Sequence, residues 1–199
     1  NWVGFCQYRK FWSLKSFNAE ETESIEDLSK NILKKIPEEL NDFDTILGEQ
    51  LFVNQFKLSK FFKKNLFKML KSPSLFFIST KRNLKFHFDM MHGDGNLDKA
   101  IKLLDTKDRS DFRDFVNKEV SFNPHNMFIC RSSLILNNYY ETIFPWLKRC
   151  ESEFGFDLKG YGHKRIYGFL AERFMSYWFK KYTKYTTLPI IFKDITDFN

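Results

Sequence analysis

A helix-rich α/β domain is what this sequence predicts, on three observations. Several segments carry apolar residues at helical spacing behind recognisable caps. Short apolar runs at residues 2–7, 43–47 and 126–130 read as buried strands. Gly and Pro are few, 8 and 5 in 199 residues, while aromatic residues make up 19 %, mostly Phe. That composition favours helices with short connections over a turn-rich sandwich. The length suits one core, so a single domain over residues 1–199 is expected.

The elements follow from punctuation. Residues 2–7, WVGFCQ, form the first strand candidate, and the chain opens in what looks like mid-strand, which suggests that an upstream part is missing. Ser24 with Asp27 three residues on resembles a capping box with a shorter acid. Ile25, Leu28, Ile32 and Ile36 then make a helix stopped by Pro37. Residues 58–70 are helical, residues 72–90 are ambiguous, and Asp94 or Asn96 can cap a helix running to Leu104. A helix over 110–120 precedes the strand NMFIC, and residues 133–153 read as a helix that Pro145 should break or kink.

The formal charge of +7 suits nucleic acid, an anionic membrane or a phosphorylated substrate. A non-enzymatic basic protein that binds nucleic acid is therefore the rival reading to an enzyme. Against it, lysines are scattered rather than interleaved with aromatics on a strand platform and no recognised nucleic-acid motif is present, so no nucleic-acid partner is expected. No apolar run reaches the length needed to cross a bilayer. Cys6, Cys130 and Cys150 each sit inside an apolar segment with no close pair, and read as buried free thiols of a reducing compartment.

Candidate chemistry is concentrated in four places. In residues 160–178 the apolar stripe Ile166, Phe169, Leu170, Phe174, Tyr177 and Trp178 leaves Arg165, Gly168 and Glu172 stacked on another face. A mid-helix Gly costs about 1 kcal/mol relative to Ala, so this face either receives something closely or is an ordinary solvated face with an incidental Gly. The loop His92, Gly93, Asp94, Gly95 offers an imidazole, a carboxylate and open backbone for proton transfer or metal ligation. His87 and Asp89 repeat the His-x-Asp spacing; on a strand both would face one side and could pair with each other. Arg9 and Lys10, just after an apolar strand, either suit a phosphate or are a surface pair flanking the strand; Tyr8, Phe11 and Trp12 are either sugar platforms or core. His125 and Asn126 put an imidazole and an amide at a sheet edge, or Asn126 only shapes the turn into the strand.

Residues 57–71, KLSKFFKKNLFKMLK, set Leu58, Phe61, Phe62, Leu66, Met69 and Leu70 against Lys57, Lys60, Lys63, Lys64, Lys68 and Lys71 on a helical wheel. This fits either an anionic membrane surface or a core-packing helix with a solvated face.

In order, VGFCQYRKFW, HGDGNLDKAI, HNMFIC, YYETIFPWL and KRIYGFLAERF resemble the bacterial polysaccharide-biosynthesis family known as domain of unknown function 4422, regarded as glycosyltransferase-like. The family's pattern is a strand ending in His-Tyr-Arg-Arg, a His-plus-acid helix start, an Asn-Met-Phe strand, a Tyr-rich helix ending in Trp-Leu-Phe, and an Arg-x-x-Gly-Phe-x-x-Glu-Arg helix. Gln7 and Lys10 replace the first motif's His and second Arg, exchanging a titratable ring for an amide and a bidentate fork for a point charge. The resemblance implies an incomplete GT-A-like α/β/α sandwich of the nucleotide-diphospho-sugar transferase type, lacking its upstream nucleotide-binding part. It also implies transfer of a sugar from a nucleotide sugar to a glycan or lipid-linked acceptor, at the cytoplasmic face of the membrane. Glu172, His92 and Asp94 are then the candidate catalytic residues, and Tyr8, Arg9, Lys10, Asn126, Arg165 and Gly168 the substrate-binding ones. A divalent metal is left open, because no Asp-x-Asp pair follows the first strand: Asp42 and Asp44 begin one instead.

Overall fold

A computed structural model describes residues 1–55 and 78–198. The lysine-rich segment 57–71 lies outside the described residues. In chain order the strands and helices are β1 (Val3–Gly4), β2 (Lys10–Trp12), α1 (Ile25–Asn31), β3 (Thr45–Gly48), β4 (Leu51–Phe52), α2 (Leu84–His92), α3 (Asn96–Lys102), α4 (Thr106–Lys118), β5 (Ser121–Phe122), β6 (Phe128–Cys130), α5 (Ser133–Phe154), α6 (Tyr161–Lys164), α7 (Ile166–Tyr182), β7 (Tyr185–Leu188) and β8 (Ile190–Phe192). They fall into two compact units: Asn1–Gln50, Asn123–Tyr139 and Trp178–Asn199 form the first, Leu51–Phe122 and Tyr140–Tyr177 the second.

The first unit holds a sheet of order β1-β6-β3-β7. β3, with every residue buried, lies antiparallel to β6 and parallel to β7; it starts two residues later than the run expected at 43–47. β2 pairs antiparallel with β8, Lys10 opposite Phe192 and Trp12 opposite Ile190. Trp12, Ile46, Met127, Ile129 and Leu188 form one core cluster here, with Trp2, Leu33 and Ile36 packed on its margin. Neither β7 nor β8 is anticipated from sequence, because YTTLPIIF lacks clean alternation and Pro189 divides it.

α1 has the expected cap in a modified form. Ser24 Oγ accepts from the Asp27 amide at 3.1 Å and lies 3.0 Å from the Asp27 carboxylate. The helix stops at Asn31, short of Pro37, because Ile32 bridges to Ser13 and the Leu33 amide donates to the Trp12 carbonyl at 2.6 Å. Cys6 is exposed, which corrects the expectation of three buried thiols: β1 ends at Gly4 and the chain leaves the sheet before the cysteine. Cys130 and Cys150 are buried, and burial pushes both thiols up to about 12.

The second unit packs α2, α3 and α4 with Tyr140–Phe154 of α5 and Ile166–Tyr177 of α7 around an aromatic core. Phe112 meets Trp146 and Phe174 edge-on at 6.0 and 5.3 Å, and the indole N–H of Trp146 donates to the Ala100 carbonyl at 2.8 Å. The ambiguous 72–90 stretch resolves at its end into α2, capped by Asn83 through the Phe86 amide at 2.9 Å. The cap of α3 is Gly95 rather than Asp94 or Asn96, because the Asn96 amide is turned back onto the His92 carbonyl at 2.8 Å. α4 begins about one turn earlier than the sequence pattern suggested, and α5 runs unbroken through Pro145, where a break or a kink was expected.

Candidate functional site

In the first unit, two turns bring cationic and imidazole groups together. Residues 7–10 form a turn closed by the Lys10 amide on the Gln7 carbonyl at 3.0 Å, with Arg9 at φ 63°. His125 and Asn126, before β6, hold φ of 81° and 52°. These are the non-glycine residues of positive φ among the described residues, and each such conformation costs about 1 kcal/mol or more. The strained residues carry a guanidinium, an imidazole and an amide. Asn126 therefore does shape the turn into its strand, and tolerates the left-handed region better than most residues.

Lys10 ties the two turns. Its ammonium donates to Gln7 Oε1 at 2.7 Å and to His125 Nδ1 at 3.0 Å, while the Gln7 amide donates to the His125 carbonyl. The ring of His125 is thus a neutral acceptor, and burial together with the Lys10 charge brings its pKa down to about 4. Arg9 pairs with Asp194, just beyond β8, and its guanidinium lies over the Tyr8 ring at 4.3 Å. Asp194 also accepts from the Thr196 hydroxyl at 2.8 Å and amide at 3.2 Å; the Thr196 hydroxyl is the main cause holding its carboxyl below the usual range, with Arg9 adding to it. Tyr8 is 68 % exposed, which leaves one face of its ring open for a flat ligand, whereas Trp12 is core. Asp194 had no sequence signal, since it lies beyond every quoted motif.

The second unit holds the other candidates. His92 is buried, stacked on Phe169 at 4.0 Å, with Nδ1 3.2 Å from the Gly162 carbonyl, to which it must donate. Its ring joins α2 to α6 and α7. Gly162 permits that approach, because a Cβ there would stand 2.3 Å from the Met91 carbonyl oxygen. Asp94 is exposed on the loop that follows. Arg165 is exposed, bonded to the Tyr161 hydroxyl, and lies between α6 and α7 rather than on the α7 face. Gly168 is exposed as well, and a Cβ on it would meet no atom within 4 Å.

Glu172 does not lie on an ordinary solvated face, one of the two readings of its sequence. From Leu170 to Phe179 the helix is buried nearly all round, and the Glu172 side chain is only 14 % exposed. Its carboxylate lies 2.9 Å from Nη1 of Arg173, which is buried to 2 % exposure. Nη2 of Arg173 donates to His87 Nδ1 at 3.2 Å, and the guanidinium lies 3.8 Å from the centroid of Phe122. Burial pulls the Arg173 pKa down to about 10 despite Glu172, and drives that of His87 to about 3. Arg173 is the closing residue of the Glu-Arg motif, yet its role is not visible in the sequence, because helical spacing alone does not distinguish a buried cation from a solvated one. His87 and Asp89 do not face one side as they would on a strand: on α2 they diverge, Asp89 taking Lys85 at 2.8 Å. Among the described residues no group of three or more His, Cys, Asp or Glu side chains could hold a metal ion.

The fold is mixed α/β, rich in helix and GT-A-like. The chain belongs to the family described as domain of unknown function (DUF4422), whose profile matches residues 1–184. Among solved structures it is similar to the apo form of the WbbM bifunctional glycosyltransferase, with a TM-score of 0.64 and 17 % identity over 96 % of this chain. This chain spans 33 % of that one. No curated protein sequence matches it.

Proposed function

We propose that the chain is part of a glycosyltransferase that moves a sugar from a nucleotide sugar to a cell-surface polysaccharide or its lipid-linked precursor. The observation that carries this reading is the strained pair of turns holding Arg9, Lys10 and His125 on a fold shared with a glycosyltransferase. Departure of a nucleoside diphosphate needs cations held in place before the bond breaks, and Arg9 and Lys10 are held by Asp194 and by Gln7 with His125. Tyr8 supplies an aromatic face for a sugar or base. A base for the acceptor hydroxyl needs access, which exposed Asp94 has and Glu172 beside Arg173 has less of. In the second unit, taken by itself, His92 fastens its loop, and Arg165 and Gly168 are exposed. No metal-borne step enters this reading. Delivery of the acceptor at the inner face of the cytoplasmic membrane rests on the lysines of residues 57–71, outside the described residues.

The test is calorimetric titration of the full-length protein with a panel of nucleotide sugars, repeated on Arg9→Ala and Lys10→Ala. Binding of one donor, weakened about tenfold or more in each variant, is the expected result. A full-length protein that binds no donor, or variants that bind as well as the parent, would overturn the reading.

A further inference from the structure

The first unit contains a second feature that shares no residue with the Arg9, Lys10 and His125 cluster. An open pocket of about 250 Å³ is walled by Trp2, Phe5, Trp12, Ile36 and Ile129, and Lys34 and Lys35 stand at its edge. The two lysines are exposed, while Trp12 and Ile129 at its floor are 8 % and 6 % exposed. The indole N–H of Trp12 is already spent on the Phe5 carbonyl at 3.1 Å. That hydrogen bond fixes the ring and leaves the floor without its polar handle.

We infer that this pocket binds a single alkyl chain carrying an anionic head group, such as an alkyl phosphate. The walls offer dispersion contacts and desolvation to methylenes. The paired ammonium groups at the edge then meet a phosphate or carboxylate that stays in water. The pocket is smaller than the ~300–1,000 Å³ of sites that engulf a whole drug-sized ligand, so it suits one chain segment with its head outside. A neutral sugar fits the place poorly, since a hydroxyl entering among Trp12, Ile36 and Ile129 loses its water for little return. The pocket is built largely from strand ends that the sheet fixes: Gly4 pairs with Ile129 across β1 and β6, and Trp12 pairs with Ile190 across β2 and β8.

The inference stands apart from the transfer reaction, and its test measures no transfer. Trp2 and Trp12 make the pocket its own reporter, so tryptophan fluorescence of the full chain is titrated with monomeric decyl phosphate, decanol and inorganic phosphate in turn. Decyl phosphate is expected to give a saturable change, decanol a weaker one and phosphate none. In the double variant Lys34→Glu, Lys35→Glu, decyl phosphate should bind about tenfold less tightly while decanol is unchanged. Cys6 lines the pocket and is exposed, so Cys6→Phe should block the alkyl chain without touching the core or adding a fluorophore that confuses the tryptophan signal. No saturable change with decyl phosphate would overturn the inference. So would decanol binding as tightly as decyl phosphate, phosphate alone giving the same change, or affinity untouched in both variants.

Discussion

Nζ of Lys10 lies 3.0 Å from Nδ1 of His125, and because an ammonium can only donate, the imidazole accepts with its proton on Nε2. A ring held neutral in this way opposes its own protonation. Burial and the neighbouring charge bring its pKa to about 4, against an ordinary 6.5. Nuclear magnetic resonance titration of the His125 ring is expected to find its midpoint near 4, and Lys10→Met should move it upward, toward 6.5. A midpoint near 6.5 in the parent would show that the contact does not persist in solution.

Two histidines set a sign for stability against pH. His125 and His87 both have folded pKa values below the unfolded one, about 4 and about 3 against 6.5. Between those values the unfolded chain binds more protons, so acidification costs stability from pH 6.5 down to the folded values and nothing further below them. Denaturant melts at intervals across that window should show the parent losing stability on acidification more steeply than His87→Asn and His125→Asn do. Slopes identical in parent and variants would refute the assignment.

Glu172 carries a stability role that its sequence position conceals. Replacing it by Gln leaves the buried guanidinium of Arg173 with its charge uncompensated, and breaking a buried pair from one side costs several kcal/mol. Since Gln keeps a hydrogen-bond acceptor, Glu172→Gln should destabilise by about 2 kcal/mol, read from chemical denaturation. Adding Arg173→Met to that variant should cost less than the sum of the two single changes, because the stranded charge goes with it. A loss of under about 0.5 kcal/mol for Glu172→Gln would return the residue to a solvated face.

How far the sequence could be read depends on the range of the interaction that fixes each part. Caps and short periodic runs are set within a few residues, so the Ser24 cap stands where the pattern put it. The strand expected at 43–47 is found as β3 at Thr45–Gly48, and Ile166, Leu170, Phe174, Tyr177 and Trp178 of the expected stripe are buried. β7 and β8 exist by pairing with β3 and β2, far away in the chain, and nothing local announces them. The end of α1 moved for the same reason, drawn off by Ser13 and Trp12. At the candidate site, the motif residues Arg9, Lys10 and Asn126 were legible as types, whereas their partners were not: Asp194 lies 185 residues from Arg9. The exposure of Cys6 and the burial of Arg173 are likewise tertiary properties, in one case of a strand that ends early and in the other of a helix covered on nearly every side.

Two glycines near the end of the chain should respond to the same substitution in opposite directions. Gly168 lies inside α7, where a Cβ would meet nothing within 4 Å and φ is not positive. Only propensity and unfolded-state entropy then act, so Gly168→Ala should stabilise by about 0.5–1 kcal/mol. Gly162 lies in α6, where a Cβ would stand 2.3 Å from the Met91 carbonyl oxygen and 3.3 Å from Nδ1 of His92. The backbone oxygen cannot rotate away, so α6 must retreat and the bond between His92 and the Gly162 carbonyl must lengthen from 3.2 Å. Gly162→Ala should therefore destabilise by about 1–3 kcal/mol. Thermal melts of both variants decide the structural half, and opposite signs are the outcome the packing demands. The functional half is read from sugar transfer by the full-length Gly168→Ala protein. Loss of transfer in this more stable variant would show that an acceptor needs the space beside Gly168, and full activity would leave Asp94 as the carboxylate to test next.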